Sequence, residues 1–160
     1  MSGIERFGRD IEVAEAGWAI GVRLDRAVDA GRGSVLTSES SAVTPTLTTE
    51  LTAEISWFID RALEPGGSWL VKHHSTLVRA TVIGVDHRLD TGTLAAIDAE
   101  ALELNDIGRV RLTLSEPLVA DRYVDQHEGG RFVLIDESTN ETAGAGIIVA
   151  TSATSQEVTP

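Results

Sequence analysis

LNDIGRVRLTLSEPLVADRYVDQHEGGRFVLIDESTNETAGAGIIV, residues 104–149, is the stretch whose reading decides the fold. Val110, Leu112 and Leu114 alternate with Arg109, Arg111 and Thr113, residues 132–135 form a short apolar run, and residues 143–149 are small and apolar. Alternation at period two places one set of side chains on each side of a strand. Pro117, Gly129-Gly130 and Ser138-Thr139-Asn140 interrupt these runs as turn residues do. The stretch therefore predicts β-strands joined by turns, the closing half of a β-barrel.

Working outward, Leu51, Ala53, Ile55, Trp57 and Ile59 alternate with Thr52, Glu54, Ser56, Phe58 and Asp60, a second period-two strand. Glu64-Pro65-Gly66-Gly67 predicts a turn, and Trp69-Leu70-Val71 the strand after it. Over residues 77–86 both faces are mostly apolar, which predicts a strand central in the barrel or packed against a neighbour. Residues 94–104, rich in alanine and acidic, are the one candidate helix, stopped by Asn105-Asp106-Ile107-Gly108. Residues 37–49, rich in Ser and Thr, predict a linker, and residues 151–160 a disordered polar tail.

The same residues carry a resemblance. Leu104-Asn105-Asp106-Ile107-Gly108, Asp121-Arg122-Tyr123, Gly130-Arg131-Phe132, Ile135-Asp136, Thr139-Asn140 and Ala145-Gly146 resemble the last barrel of the large subunit of bacterial sulfate adenylyltransferase, CysN, a GTPase built like elongation factor Tu. The L-N-D-I-G and I-D-x-x-T-N pieces tip the resemblance toward the sulfate-activating branch. Residues 4–36 are similar to the end of that family's second domain, with R-G-S at 32–34 where the family commonly has an R-G-D-like step. The resemblance thus implies an all-β chain: an antiparallel barrel of the elongation factor Tu C-terminal type at 48–150, preceded over 1–47 by the remnant of a second barrel and a linker. It also implies a role, the structural and docking barrel of an enzyme that makes adenosine 5′-phosphosulfate and pyrophosphate from ATP and sulfate. The implied partners are the small subunit and the GTPase domain. GTP and Mg²⁺ would belong to that domain, and this chain would carry no cofactor. The alternative is a free-standing elongation-factor-like barrel that binds protein partners.

Composition bounds what else the chain can be. With 25 Asp and Glu against 13 Lys and Arg, a net charge of −12 and one lysine, Lys72, it repels phosphate backbones, so nucleic acid is not an expected partner. It contains no cysteine, so disulfides and thiolate metal sites are excluded. No run approaches the ~20 apolar residues of a membrane span, and residues 1–6 lack the apolar centre of a signal peptide. A cytoplasmic protein is expected.

Candidate chemistry is sparse. A phosphate loop needs G-x-x-x-x-G-K-[ST], whereas Lys72 falls between Val71 and His73 inside a predicted strand. His73 and His74 are adjacent and so face opposite ways, His87 beside Asp86 reads as a loop-end hydrogen bond, and no pair has zinc-ligand spacing. His74-Ser75-Thr76 are neighbours in sequence only, which makes no catalytic triad. No catalytic, cofactor or metal residue is therefore expected. Arg109, Arg111, Arg122 and Arg131, gathered in an acidic chain, are the candidate interface residues, able to pair with carboxylates of a neighbouring domain or subunit. Trp18, Trp57 and Trp69 are expected in barrel cores.

Overall fold

Nine residues of alternation around Ile55 become the first stave of a barrel. A computed structural model describes residues 1–37 and 46–153, which divide into two units, Met1–Ser34 and Val35–Pro160. The first holds β1 (Gly3–Arg6), β2 (Arg9–Ile11) and β3 (Gly21–Arg23), an antiparallel sheet in the order β2-β1-β3. Phe7 and Gly8, both at positive φ, make the tight β1–β2 turn, whose twist matches that of the strands it joins. None of the described residues 1–37 is buried. Trp18 is 37% exposed and lies under the Arg6 guanidinium, 3.8 Å from its carbon, so it is a surface ring and not the core residue the sequence predicts.

The second unit carries β4 (Thr46–Trp57), β5 (Ser68–His73), β6 (Thr76–Leu89), β7 (Ala96–Ile97), β8 (Ile107–Ala120), β9 (Arg131–Ile135) and β10 (Thr142–Ala153). Antiparallel pairing runs β5-β9-β10-β4-β8-β6, and β6 pairs back onto β5 through a two-residue turn, closing six strands into a barrel with β7 appended to β6. Closure leaves the six staves without free edges. Leu51, Ala53, Ile55, Trp57, Val71, Val110, Leu112, Leu134 and Ile148 fill the interior, and the edge of the Trp57 ring meets the Trp69 face at 4.6 Å between centroids. Phase decides most of the rest: intervening positions point outward except where register shifts in β4, β8 and β10 interrupt the alternation.

Several expectations are corrected here. Residues 94–104 form no helix. Asp90 N takes the Ala95 carbonyl, β7 pairs with Arg88 and Leu89, and Leu102 exchanges two backbone bonds with Leu63 (2.9 and 3.0 Å) while fully buried, so anchoring to the sheet overrides alanine's helical preference. In β6 the two faces are not equivalent. Val78, Ala80 and Val82 are inside, while Leu77 and Ile83 are 52% and 43% exposed, because the outer face of a single barrel meets solvent. Strand β4 already begins at Thr46, within the stretch read as linker: Leu47 pairs with Val119, and the buried Thr48 hydroxyl donates to the Ser152 carbonyl at 2.6 Å. Strand β10 likewise extends to Ala153. The linker reading of residues 38–45 and the disorder reading of residues 154–160 lie outside the described residues.

Candidate functional site

The motif residues that gave the sequence its resemblance turn out to hold turns. In L-N-D-I-G, Asn105 adopts φ 69° and its N–H donates to the Trp57 carbonyl, while Trp57 N–H donates to the Asp106 carbonyl. Asp106 Oδ2 accepts from Glu103 N–H at 2.9 Å. A Cβ at Gly108 would stand 2.4 Å from the His87 carbonyl oxygen, so only glycine lets β8 start this close to β6. In I-D-x-x-T-N, Asp136 Oδ1 accepts from the Ser138 hydroxyl (2.6 Å), Ser138 N–H (2.7 Å) and Thr139 N–H (3.3 Å), and Oδ2 meets Arg61 at 2.9 Å. Asn140, at φ 60°, completes the β9–β10 turn. The Ser138 hydroxyl, then its amide, hold the Asp136 carboxyl below the usual carboxylate range. Its stabilising contribution is therefore present above the ordinary value of 3.8 and is lost as pH falls through the lower folded value. Asp136→Ala leaves the Ser138 hydroxyl and two turn amides, those of Ser138 and Thr139, without their acceptor, and a fall in Tm of roughly 5 °C by differential scanning calorimetry is expected.

D-R-Y and G-G-R-F form the two ends of one loop, residues 121–130. Asp121 N–H donates to the Gly129 carbonyl, Tyr123 N–H to Ile148 and Ile148 N–H to Gly130, lashing the loop across the start of β9 and across β10. His73, buried at the β5–β6 turn, donates from Nε2 to the same Gly129 carbonyl at 2.9 Å. Burial, the largest cause, pushes the His73 imidazole below its usual value of 6.5, reinforced by His74 and opposed by the Gly129 bond and by Asp121. Burial pushes the Asp121 carboxyl up. The signs then separate. Below about pH 6.5 the unfolded chain takes up a proton that folded His73 resists, so stability falls as pH falls. The penalty of desolvating Asp121 lasts while that carboxyl is charged and is relieved as it protonates, the opposite sign. A lower urea midpoint at pH 5.5 than at pH 7.5 is expected, with a smaller difference in His73→Gln, which keeps an N–H donor and does not titrate.

Each of the four candidate arginines has a carboxylate within the chain. Arg109 bonds Glu54 (Nη2 at 2.6 Å, Nε at 2.8 Å), Arg111 bonds Asp86 (2.8 Å), Arg122 bonds Asp125 (2.6 Å) and Arg131 bonds Glu128. Arg109 and Arg111 share the outer face of β8, Arg131 stands on β9 and Arg122 in the loop. Asp86 and His87 lie in β6 and not at a loop end, with Asp86 taken by Arg111 and His87 Nε2 at 3.9 Å from Glu54. His74 sits in the β5–β6 turn at φ 46°.

Register brings two rows of outward side chains together. One runs Lys72 (β5), Val133 (β9), Ala145 (β10), Ser56 (β4), Ile107 (β8), and the other Arg131 (β9), Ile147 (β10), Glu54 (β4), Arg109 (β8), His87 (β6). Ala145 and Ser56 are small at the centre of the first row, so the surface is hollow there. With Tyr123 and Glu128 of the 121–130 loop as a wall, the hollow is a groove of about 600 Å³. His127 stacks on Tyr123, centroids 4.6 Å apart.

Residues 50–149 match the family described as GTP-eEF1A C-terminal domain-like. The chain belongs to that family. The bifunctional enzyme CysN/CysC of Mycobacterium tuberculosis (strain ATCC 25618 / H37Rv) is 41% identical over 133 residues, 82% of this chain and 21% of that protein. Sulfate adenylyltransferase subunit 1 of Aeromonas salmonicida (strain A449) is 37% identical over 146 residues, 91% of this chain and 31% of that protein. The chain thus spans about a fifth to a third of these relatives, and the resemblance first read from L-N-D-I-G and I-D-x-x-T-N is borne out. Among solved structures, sup35 complexed with GDP superposes with a TM-score of 0.77 at 24% identity, covering 94% of this chain and 37% of that one. That likeness bears on the fold, which is the all-β barrel expected. Among the described residues no helix is long and apolar enough to cross a membrane.

Chemically, the groove offers apolar walls, one lysine and tied-up ion pairs. Sequence reasoning picked out Arg131 and Arg109 but missed Glu54, Ser56, Ala145 and Ile147. The available signal was alternation itself, which puts Glu54 with Ser56, and Ala145 with Ile147, on single faces of their strands.

Proposed function

We propose that this chain is the C-terminal barrel portion of a GTP-dependent sulfate adenylyltransferase large subunit, with a structural and docking role and with the GTPase chemistry outside it. The observation that carries this reading is the use of the motif residues. Asn105, Asp106, Gly108, Asp136 and Asn140 are spent on turns of a barrel that is matched over nearly its whole length by relatives named sulfate adenylyltransferase subunit 1. In this reading the complete enzyme joins ATP and sulfate into adenosine 5′-phosphosulfate with release of pyrophosphate. GTP and Mg²⁺ belong to the GTPase domain, and the small subunit performs the adenylyl transfer. The barrel contributes a rigid frame, because closed antiparallel staves with a filled interior place outer-face side chains to within rotamer precision.

The three-stranded sheet fits the same reading as the last strands of a second barrel. None of its described residues is buried, and Phe7, Val13 and Trp18 are exposed beside its strands. The acidic balance favours protein partners over nucleic acid.

Co-expression tests the proposal. This chain, the small subunit and the portion of the Aeromonas salmonicida subunit 1 that the chain does not match are expected to co-elute as one complex. That complex should release pyrophosphate from ATP only when sulfate and GTP are supplied. A chain that elutes alone, with the other two polypeptides unaffected by its omission, would sink the proposal in favour of a free-standing protein-binding barrel.

A further inference from the structure

The groove has a chemical bias that the arginine pairing exposes. Its cations are Lys72 and Arg131, with Arg109 alongside in the second row. Arg131 is neutralised by Glu128 and Arg109 by Glu54, whereas Lys72 makes no ion pair among the described residues. Lys72 is the sole lysine of a chain with net charge −12. It stands directly across from Val133, so its ammonium stem and the apolar row Val133, Ala145, Ile107 share one face. His74 opens onto the same groove. At the opposite side Glu54 commits Oε1 to Arg109, while its Oε2 is buried with no hydrogen-bond partner among the described residues.

We infer that the groove seats an extended segment of a partner protein in which apolar side chains are followed by a carboxylate, the carboxylate meeting Lys72. The row geometry sets the fit. Adjacent strands lie ~4.8 Å apart, so the row from Lys72 through Val133 and Ala145 to Ser56 spans about 14 Å across the sheet, the length of four to five extended residues. The floor of the groove is Val133, Ala145 and Ile147, hollow enough at Ala145 and Ser56 to admit one branched aliphatic side chain. Tyr123 of the loop lines the same groove. An anionic segment finds its charge partner at Lys72, since among the described residues Arg131 and Arg109 are already held by Glu128 and Glu54.

Capped synthetic decapeptides test this without any assumption about the enzyme. Each carries Leu or Val at alternate central positions and, four residues away, Asp, Asn or Lys. Binding to the 160-residue chain is measured by isothermal titration, and the site is located by amide chemical shifts. The Asp peptides are expected to bind about tenfold more tightly than the Asn peptides, with shifts concentrated at Ala145, Ile147 and Val133. The Asp advantage is expected to vanish in Lys72→Gln and to pass to the Lys peptides in Lys72→Glu, both variants retaining the wild-type circular dichroism spectrum. Equal binding of Asp and Asn peptides, an advantage that survives Lys72→Gln, shifts that map elsewhere, or no binding by any peptide each overturns the inference. Peptide binding as described together with failure of the co-expression complex would leave the inference standing and remove the enzyme assignment.

Discussion

Gly130→Ala should unfold much of what the 121–130 loop secures, with a loss of roughly 3 kcal/mol in denaturant titration. An alanine Cβ at this position would lie 2.3 Å from Tyr123 Cα, 2.4 Å from Tyr123 N and 2.9 Å from the Arg122 carbonyl carbon. These are backbone atoms, which cannot swing aside as a side-chain tip does. Relief requires moving the loop, and the loop is fixed by the Tyr123–Ile148 and Ile148–Gly130 backbone bonds and by His73 on the Gly129 carbonyl. The loss should appear with a lowered midpoint and an unchanged m value, because the unfolded chain is barely altered. A variant as stable as the parent would mean that the loop does not pack on Gly130 in solution.

Trp57→Ala should cost about 4 kcal/mol, the range for deleting a fully buried tryptophan. The ring is 0% exposed, its Nε1–H donates to the Arg61 carbonyl at 2.7 Å, and it supplies the edge against the Trp69 face. Trp57 also trades backbone bonds with both Asn105 and Asp106, so its side chain is the interior counterpart of the L-N-D-I-G turn. Removing it opens a cavity beneath that turn and strips the Arg61 carbonyl of its donor. Trp57→Phe fills most of the space and loses only the hydrogen bond, and a penalty nearer 1–2 kcal/mol is expected for it. Equal losses in the two variants would argue that packing around the ring contributes nothing.

The barrel could be read from the chain because its cause is local. Leu51, Ala53, Ile55 and Trp57 fall inside for the reason that alternate residues of any strand do, and the turns at Gly66, with φ 85°, and at Gly130, where a Cβ would meet the Tyr123 backbone, favour glycine. Residues 94–104 were misread because the decisive interaction, the reciprocal bonding of Leu102 with Leu63, joins positions far apart in sequence. Trp18 was misassigned on a residue-type average that cannot say whether a covering layer is present. The groove was illegible for a related reason. Its rows cross strands in the order β5, β9, β10, β4, β8, β6, and nothing along the chain announces that Lys72 will face Val133 or that Ile147 will face Glu54. The arginines were conspicuous in composition, while their partners Glu54, Asp86, Asp125 and Glu128 were diluted among 25 acidic residues.

Closure of the barrel is uneven around its circumference. Strands β4 and β8 are paired from Thr46↔Ala120 to Ser56↔Ile107, whereas β5 and β9 meet only at Leu70↔Ile135, Val71↔Leu134 and Lys72↔Val133. A cylinder with one short seam breathes there first, since fewest bonds resist the parting. In native-state deuterium labelling, amides of β5 and β9 should lose protection by a local route while those of β4 and β8 wait for global unfolding. Lys72 and Val133 stand on either lip of that seam. Whatever bridges them acts as a clasp, and its grip should be readable as slowed exchange of the amides along β5 and β9.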